Sequence, residues 1–255
     1  VLDLAGAGSG GTAAKGWLYG LWADGRRHRG GAYLPNWPVA MSGLSFCYDL
    51  SIDFVGEGVA PPTFANVDGS GLKIVSSLVT GAVQAFNADG SVYQTLSTGC
   101  ANSSACGPNP PYRPTGDTAT ITLSGQGGFG DLTGSGRPQF IQSSTGVESI
   151  VLALGQAGEA SLPQVYEKAW DVSSGSVLSG FPQRQDGFPF YDAPVIADVG
   201  AGGGHRNAIE ANDNYWIHAW GPDGAEAPGF PKYTGQWTGL SLIHISEPTR
   251  QAAIS

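Results

Sequence analysis

Apolar residues along this chain fall in short runs rich in strand-forming residues, each closed by glycine, proline or an acidic turn. Leu72 to Leu78 is one such run; Thr80-Gly81 turns it, Ala82 to Asn87 returns, and Asp89-Gly90 turns again before Ser91 to Leu96. Glycine and D-G turns between β-runs predict successive hairpins, and Pro62 to Val67 supplies a fourth, entering strand. The same order recurs with an entry through Ala193 to Asp198, then Asn207 to Ala211, Tyr215 to Trp220, Asp223-Gly224 and Gly229-Phe230-Pro231. The alternation from Trp17 to Trp22 predicts a strand apolar on both faces, as in stacked sheets. Leu44 to Val55 predicts a strand pair, and Gln139 to Ser143, Glu148 to Leu154 and Gln164 to Val172 predict the strands of a further unit.

One turn organises these units. Ala65 to Gly71 reads A-N-V-D-G-S-G, and versions of it start at Asp3, Asn66, Asp131 and Asp198, separated by 63, 65 and 67 residues. Near-regular recurrence at this spacing marks a repeat architecture. Four strands with short connections fill one period, and four-stranded sheets repeated about an axis make a β-propeller. A solenoid is the alternative, although its stacked coils favour a stricter and shorter period. The third copy is the long one: Asp131 to Phe181 spans 50 residues, against 34 for Asp3 to Trp37 and 32 for Asp198 to Phe230. The extra length around Thr145 to Pro163 predicts a projecting hairpin or loop, where repeat scaffolds often place binding.

Composition agrees with an all-β class. Of 255 residues 41% are hydrophobic and only 13% charged, with 40 glycines and 17 prolines, a balance that suits short strands and tight turns over long helices. A net charge of −9 disfavours nucleic acid, which needs clustered Lys and Arg. The longest compact apolar run, Ile150 to Leu154, is too short for a membrane span. The chain starts at Val1 inside a repeat, so the lack of a signal peptide carries no information. Cys100 and Cys106 bracket a small polar loop that suits a local disulfide in a secreted protein or, alternatively, two unpaired thiols. Cys47 reads as a buried thiol, and no Cys or His has zinc-site spacing.

With Ala65 to Gly71 followed by Ala85-Phe86-Asn87-Ala88-Asp89-Gly90, and Ala197-Asp198 followed by His218-Ala219-Trp220-Gly221-Pro222-Asp223-Gly224 and Gly229-Phe230-Pro231, residues 1–239 resemble the FG-GAP/VCBS-type β-propellers, related to the integrin α-subunit head. The resemblance implies a partial β-propeller of about four four-stranded blades, a fragment of a usual seven. It further implies an extracellular or cell-envelope location and a non-catalytic module that binds, or is structurally presented to, protein or glycan partners, sometimes beside a secreted hydrolase. Ser241 to Arg250 breaks the pattern and resembles a translated sequencing adaptor, so residues 240–255 read as a non-native tail, with a genuine short strand as the alternative.

The family turn resembles the first half of an EF-hand loop, with oxygen ligands at positions 1, 3 and 5. Here those positions hold Asn66, Asp68 and Ser70 in one turn and Asp131, Thr133 and Ser135 in the next, with a single carboxylate in each. These two are the candidate calcium sites, expected to be weak because carboxylate count sets affinity; the turns at Asp3 and Asp198 are expected to be metal-free. In the competing reading the Asp or Asn caps N–H groups of its own turn.

Other chemistry is sparse. His28, His205, His218 and His244 have no paired spacing, and His218 reads as a packed or hydrogen-bonded strand residue. Ser76-Ser77 and Ser143-Ser144 lack a nucleophile elbow. Glu148, Glu159 and Glu167 gather near the long excursion and are expected to be solvated surface charges. Trp17, Trp22, Trp170, Trp216 and Trp220 are expected to pack between blades in preference to stacking on sugars. Ala169 to Gly175 resembles an element of quinoprotein propellers, with Ser174 where threonine would be expected, so a PQQ quinoprotein-like oxidoreductase is one alternative function; a fragment of a polysaccharide-active propeller-fold enzyme is the other.

Overall fold

The computed structural model describes residues 15–42, 46–48, 52–54, 60–77, 83–96, 120–121, 127–146, 165–187, 193–200 and 206–235. The turn at Asp3, the loop around Thr145 to Pro163 beyond Gly146, Cys100, Cys106, Glu148, Glu159, His205, His244 and the 240–255 tail lie outside them. Among the described residues the chain is all-β, and every strand pairing is antiparallel.

Two sheets have two strands each: β1 (Lys15–Leu18) with β2 (Val39–Ser42), and β3 (Phe46–Tyr48) with β4 (Ile52–Phe54). The next is a four-stranded meander of β5 (Thr63–Ala65), β6 (Lys73–Ser77), β7 (Val83–Asn87) and β8 (Val92–Leu96). A six-stranded sheet follows: β9 (Thr120–Ile121), β10 (Gly128–Gly130), β11 (Gln139–Gly146), β12 (Val165–Asp171), β13 (Ser176–Val177) and β14 (Gln183–Gln185). The last is a meander of β15 (Val195–Ala197), β16 (Asn207–Ala211), β17 (Trp216–Trp220) and β18 (Lys232–Tyr233). The predicted hairpins thus form where glycine and D-G turns interrupt β-branched and aromatic runs.

Turn geometry fixes a common register. After the third strand of a unit, the Leu34 amide donates to Gly20 O, Leu178 to Ala169 O and Ala227 to Ala219 O, at 2.7–2.8 Å. One turn later the Trp37, Phe181 and Phe230 amides close back on Leu34, Leu178 and Ala227, and each aromatic is joined to the following proline by a cis peptide bond. The returning strand then pairs Leu18 with Val39, Glu167 with Gln183 and Ile217 with Lys232. Leu18, Glu167 and Ile217, each two residues before Gly20, Ala169 and Ala219, are therefore equivalent, and Val83, two before Ala85, is their counterpart in the second unit. The Ala169 to Gly175 segment occupies the same place in its sheet as Ala85 to Gly90 and Ala219 to Gly224.

Successive sheets pack face to face through three apolar clusters. Leu18 and Met41 meet Phe86; Val75, Val83 and Ala85 meet Phe140 and Trp170; Ile141 and Ala169 meet Ala208 and Trp220. Trp170 and Trp220 are thus inter-sheet core residues as expected, each worth roughly 3–5 kcal/mol if truncated to alanine. The sheet containing β12 is covered on both faces, so alternate residues of β12 enter different cores and the strand is buried from Val165 to Trp170. The turns interlock as well: Trp37 Nε1 donates to Ala88 O at 3.2 Å, beside Gly90, and Gly180 abuts Asp223 and Gly224.

The first strand departs from expectation. β1 stops at Leu18, and Trp17, Tyr19 and Leu21 are 46%, 51% and 62% exposed, so only the Leu18 face is buried. Alternation marked both faces as apolar, but among the described residues no sheet covers the second. Nor is any helix long and apolar enough to cross a membrane among those residues.

Candidate functional site

The repeated turns come first because the sequence places calcium there. In the turn before β6, Asn66 Oδ1 accepts from the Gly69 amide at 2.7 Å. Asp68 Oδ1 accepts from the Ser70 amide and hydroxyl at 2.8 and 2.7 Å, and Asp68 Oδ2 accepts from the Tyr93 hydroxyl at 2.9 Å. The Lys73 ammonium donates to Ser70 Oγ at 2.7 Å, stands 3.5 Å from Asp68 Oδ1 and lies over the Tyr93 ring. The Ser70 hydroxyl and amide, with smaller help from Tyr93 and Lys73, hold the Asp68 carboxyl below the usual carboxylate range. A lysine ammonium already supplies this turn with its positive charge, so the residues do not fit a calcium ion.

In the turn before β11, Asp131 accepts from the Ser135 amide at 2.9 Å through Oδ1 and from the Gly136 amide at 2.7 Å through Oδ2. Thr133 Oγ1 and Ser135 Oγ hydrogen-bond each other at 2.9 Å, and Gln139 Oε1 accepts from the Leu132 and Thr133 amides. Amide hydrogens directed at both carboxylate oxygens make this an anion-capped turn, and one carboxylate does not fit calcium either. At Asp198, Oδ1 accepts from the Gly200 amide.

A different cluster lies between the sheets of β11–β12 and β16–β17. Ser143 Oγ is 2.5 Å from Glu167 Oε2 and also hydrogen-bonds Glu210 Oε2. Gln185 Nε2 is 3.0 Å from Ser143 Oγ, 2.8 Å from Glu210 Oε2 and 3.4 Å from Glu167 Oε2. Glu167, Glu210 and Gln185 are all at most 2% exposed. Burial first, and then the adjacent Glu210 charge, push the Glu167 carboxyl well above its usual value. Burial also raises Glu210, partly offset by hydrogen bonds from Glu167, Ser143 and Gln185 and by the charge of His218. Glu167 is therefore no solvated surface charge: stacking of the next sheet seals it in.

Register explains why these residues stand out. Positions equivalent to Glu167 hold Leu18, Val83 and Ile217, and the position equivalent to Gln185 holds Met41. One seam earlier the Ser143–Glu210 contact has a neutral counterpart, Gln142 Nε2 donating to Ser77 Oγ at 3.1 Å. One acidic residue, Glu167, in an otherwise aliphatic register was the signal available in the sequence, visible only once the third-strand turns are aligned.

His218, paired across the strands with Glu210, sits at the edge of this cluster. Its Nδ1 is 3.1 Å from Glu226 Oε2, its Nε2 is 3.3 Å from Asp186 Oδ1, and its ring stacks on Trp220 at 4.8 Å. Burial alone would lower its pKa, but Glu226 and then Asp186 outweigh burial and raise it. His218 is thus the hydrogen-bonded strand residue expected, whereas exposed His28 pairs with Asp24.

No family model matches this chain, and no curated protein and no solved structure matches it. Geometry alone therefore separates two kinds of surface. The acidic cluster is closed to a substrate-sized molecule. Aromatic side chains, in contrast, are displayed: Tyr19 and Tyr33 lie with ring centroids 5.6 Å apart, Trp17 is exposed in β1, and Tyr233 packs against Trp216 at 4.9 Å and Tyr215 at 6.0 Å. Trp17 and Trp216 thus depart from the packing between sheets that holds for Trp170 and Trp220.

Proposed function

We propose that residues 1–239 form part of an open β-propeller of FG-GAP/VCBS type, with about four four-stranded blades, acting as a non-catalytic extracellular or envelope module that binds protein or glycan partners. Support for successive blades comes from cross-seam contacts at the repeat interval: Ser77 to Gln142 and Ser143 to Glu210 are 65 and 67 residues apart. The observation that carries the binding role is the display of Trp17, Tyr19, Leu21 and Tyr33 at the first sheet, each at least 41% exposed. Aromatic rings with one polar tip suit wet recognition surfaces, and a cluster of them is unusual on a surface with no partner. The placement of Ala169 to Gly175 as an ordinary repeat turn favours this role over a quinoprotein enzyme.

Affinity electrophoresis of the full chain through gels containing soluble polysaccharides tests the proposal, with Tyr19→Ala/Tyr33→Ala as the comparison. Retardation that the double variant abolishes supports a glycan partner, and unchanged migration in every gel leaves a protein partner. Equal retardation of both proteins would remove the aromatic surface from the binding role.

A further inference from the structure

The seam between β11–β12 and β16–β17 gathers acceptors without enough donors. Glu167 Oε1, Glu210 Oε1 and Gln185 Oε1 are each buried with no hydrogen-bond partner among the described residues. Among the described residues no ion pair reaches either carboxyl within 4 Å. Among the described residues the donors that reach the carboxyls are the Ser143 hydroxyl and the Gln185 amide hydrogens, and these serve the Oε2 side of both. A proton shared between Glu167 and Glu210 adds one donor, fewer than the three buried oxygens that lack a partner. Each such oxygen has given up its hydration with nothing in return.

A cation resolves this imbalance. Two carboxylates, one amide oxygen and one hydroxyl give up to six oxygen donors, and the two negative charges match one divalent ion. An all-oxygen donor set suits hard ions. The Gln185 amide already reaches into the cluster through Nε2, and a half-turn of that amide brings Oε1 to the same place. The four side chains come from β11, β12 and β14 of one sheet and β16 of the next, so a bound ion would join the two sheets. Two of these groups are particular to this seam: other units place Leu18, Val83 and Ile217 where Glu167 stands, and Met41 where Gln185 stands.

We propose that Glu167, Glu210, Gln185 and Ser143 form a buried site for one hard divalent cation, Ca²⁺ or Mg²⁺, which clamps these two sheets together. The site is separate from the repeated turns and independent of the aromatic binding surface.

The test uses the full chain stripped with EDTA and titrated calorimetrically with Ca²⁺ or Mg²⁺, with melting temperature followed in parallel. One ion per chain is expected, with a rise in melting temperature. Glu167→Gln and Glu210→Gln, which keep shape but remove charge, are expected to weaken binding at least tenfold, while Asp68→Asn and Asp131→Asn leave it unchanged. If the Glu variants fail to fold by circular dichroism, Gln185→Met, the residue of the first sheet, keeps both carboxyls and the volume; it too is expected to weaken binding. Absence of heat and of a melting shift with either ion overturns the proposal. So does binding lost in Asp68→Asn or Asp131→Asn and retained in the Glu and Gln185 variants.

Discussion

Gln142 reaches across from one sheet to the next and donates its amide hydrogen to the hydroxyl of Ser77 at 3.1 Å, with both side chains buried. The partners stand at the register positions that Glu210 and Ser143 occupy one seam later. This contact is the neutral form of the polar link between sheets, and its removal should be felt as an orphaned amide. Ser77→Ala is expected to cost about 1–2 kcal/mol in urea unfolding, because the Gln142 amide loses its acceptor in a buried seam. Ser77→Ala combined with Gln142→Leu should recover much of that loss. Additive losses in the double variant would show that the two side chains are not coupled.

Gly180 and Gly229 precede the aromatic-proline pair in consecutive units, with φ of 93° and 85°. A Cβ at Gly180 would run into the backbone of Asp223, whereas one at Gly229 meets nothing within 4 Å. Gly229→Ala should therefore cost about 1–2 kcal/mol, for left-handed backbone alone. Gly180→Ala should cost roughly 1–3 kcal/mol more, for steric overlap at the seam. Chemical denaturation of the two variants measures the difference, and equal losses would deny the turn-to-turn contact.

His218 has a folded pKa above its ordinary 6.5, since Glu226 and Asp186 outweigh burial. A raised folded pKa means that its stabilising contribution is complete below about pH 6.5 and fades as pH rises through the folded value. Imidazole NMR titration should show the elevated midpoint, and Glu226→Gln should bring it down. In the variant the melting temperature should fall less between pH 6 and 8 than in the wild type. A midpoint below 6.5 in the wild type would mean that burial dominates.

At Asp68 the sign is opposite. Its carboxyl is held low chiefly by the Ser70 hydroxyl and amide, so its contribution is present above about pH 4, the unfolded value, and is lost as pH falls further. Ser70→Ala is expected to raise the Asp68 pKa, read from the carboxyl carbon shift. No change on substitution would assign the depression to Lys73 and Tyr93 instead.

Much of this architecture is legible in the sequence because turns carry it. The D-G turns, the recurrent Asp or Asn starts and the aromatic-proline closures set strand limits almost to the residue, as at Asn207–Ala211. What stays hidden depends on which sheet lies against which. Glu167 and Lys168 sit side by side in β12 and look like a solvated charged pair; both are buried because sheets cover both faces of that strand. Trp17 errs in the other direction, since alternation identifies an apolar face but not its cover. The cluster of Ser143, Glu167, Gln185 and Glu210 draws on three separate strands of one sheet and a fourth in the next. No local spacing announces it, and only the comparison with Leu18, Val83, Ile217 and Met41 marks it out.

At both seams the serine comes from the earlier sheet and the amide or carboxyl from the later one. Such a contact is head-to-tail, with two different surfaces meeting, and it does not pair a surface with itself. The sheet of β11 and β12 carries one half of a joint toward each neighbour, Gln142 toward Ser77 and Ser143 toward Glu210. Point changes such as Val83 against Glu167 then give one joint a property that the other lacks.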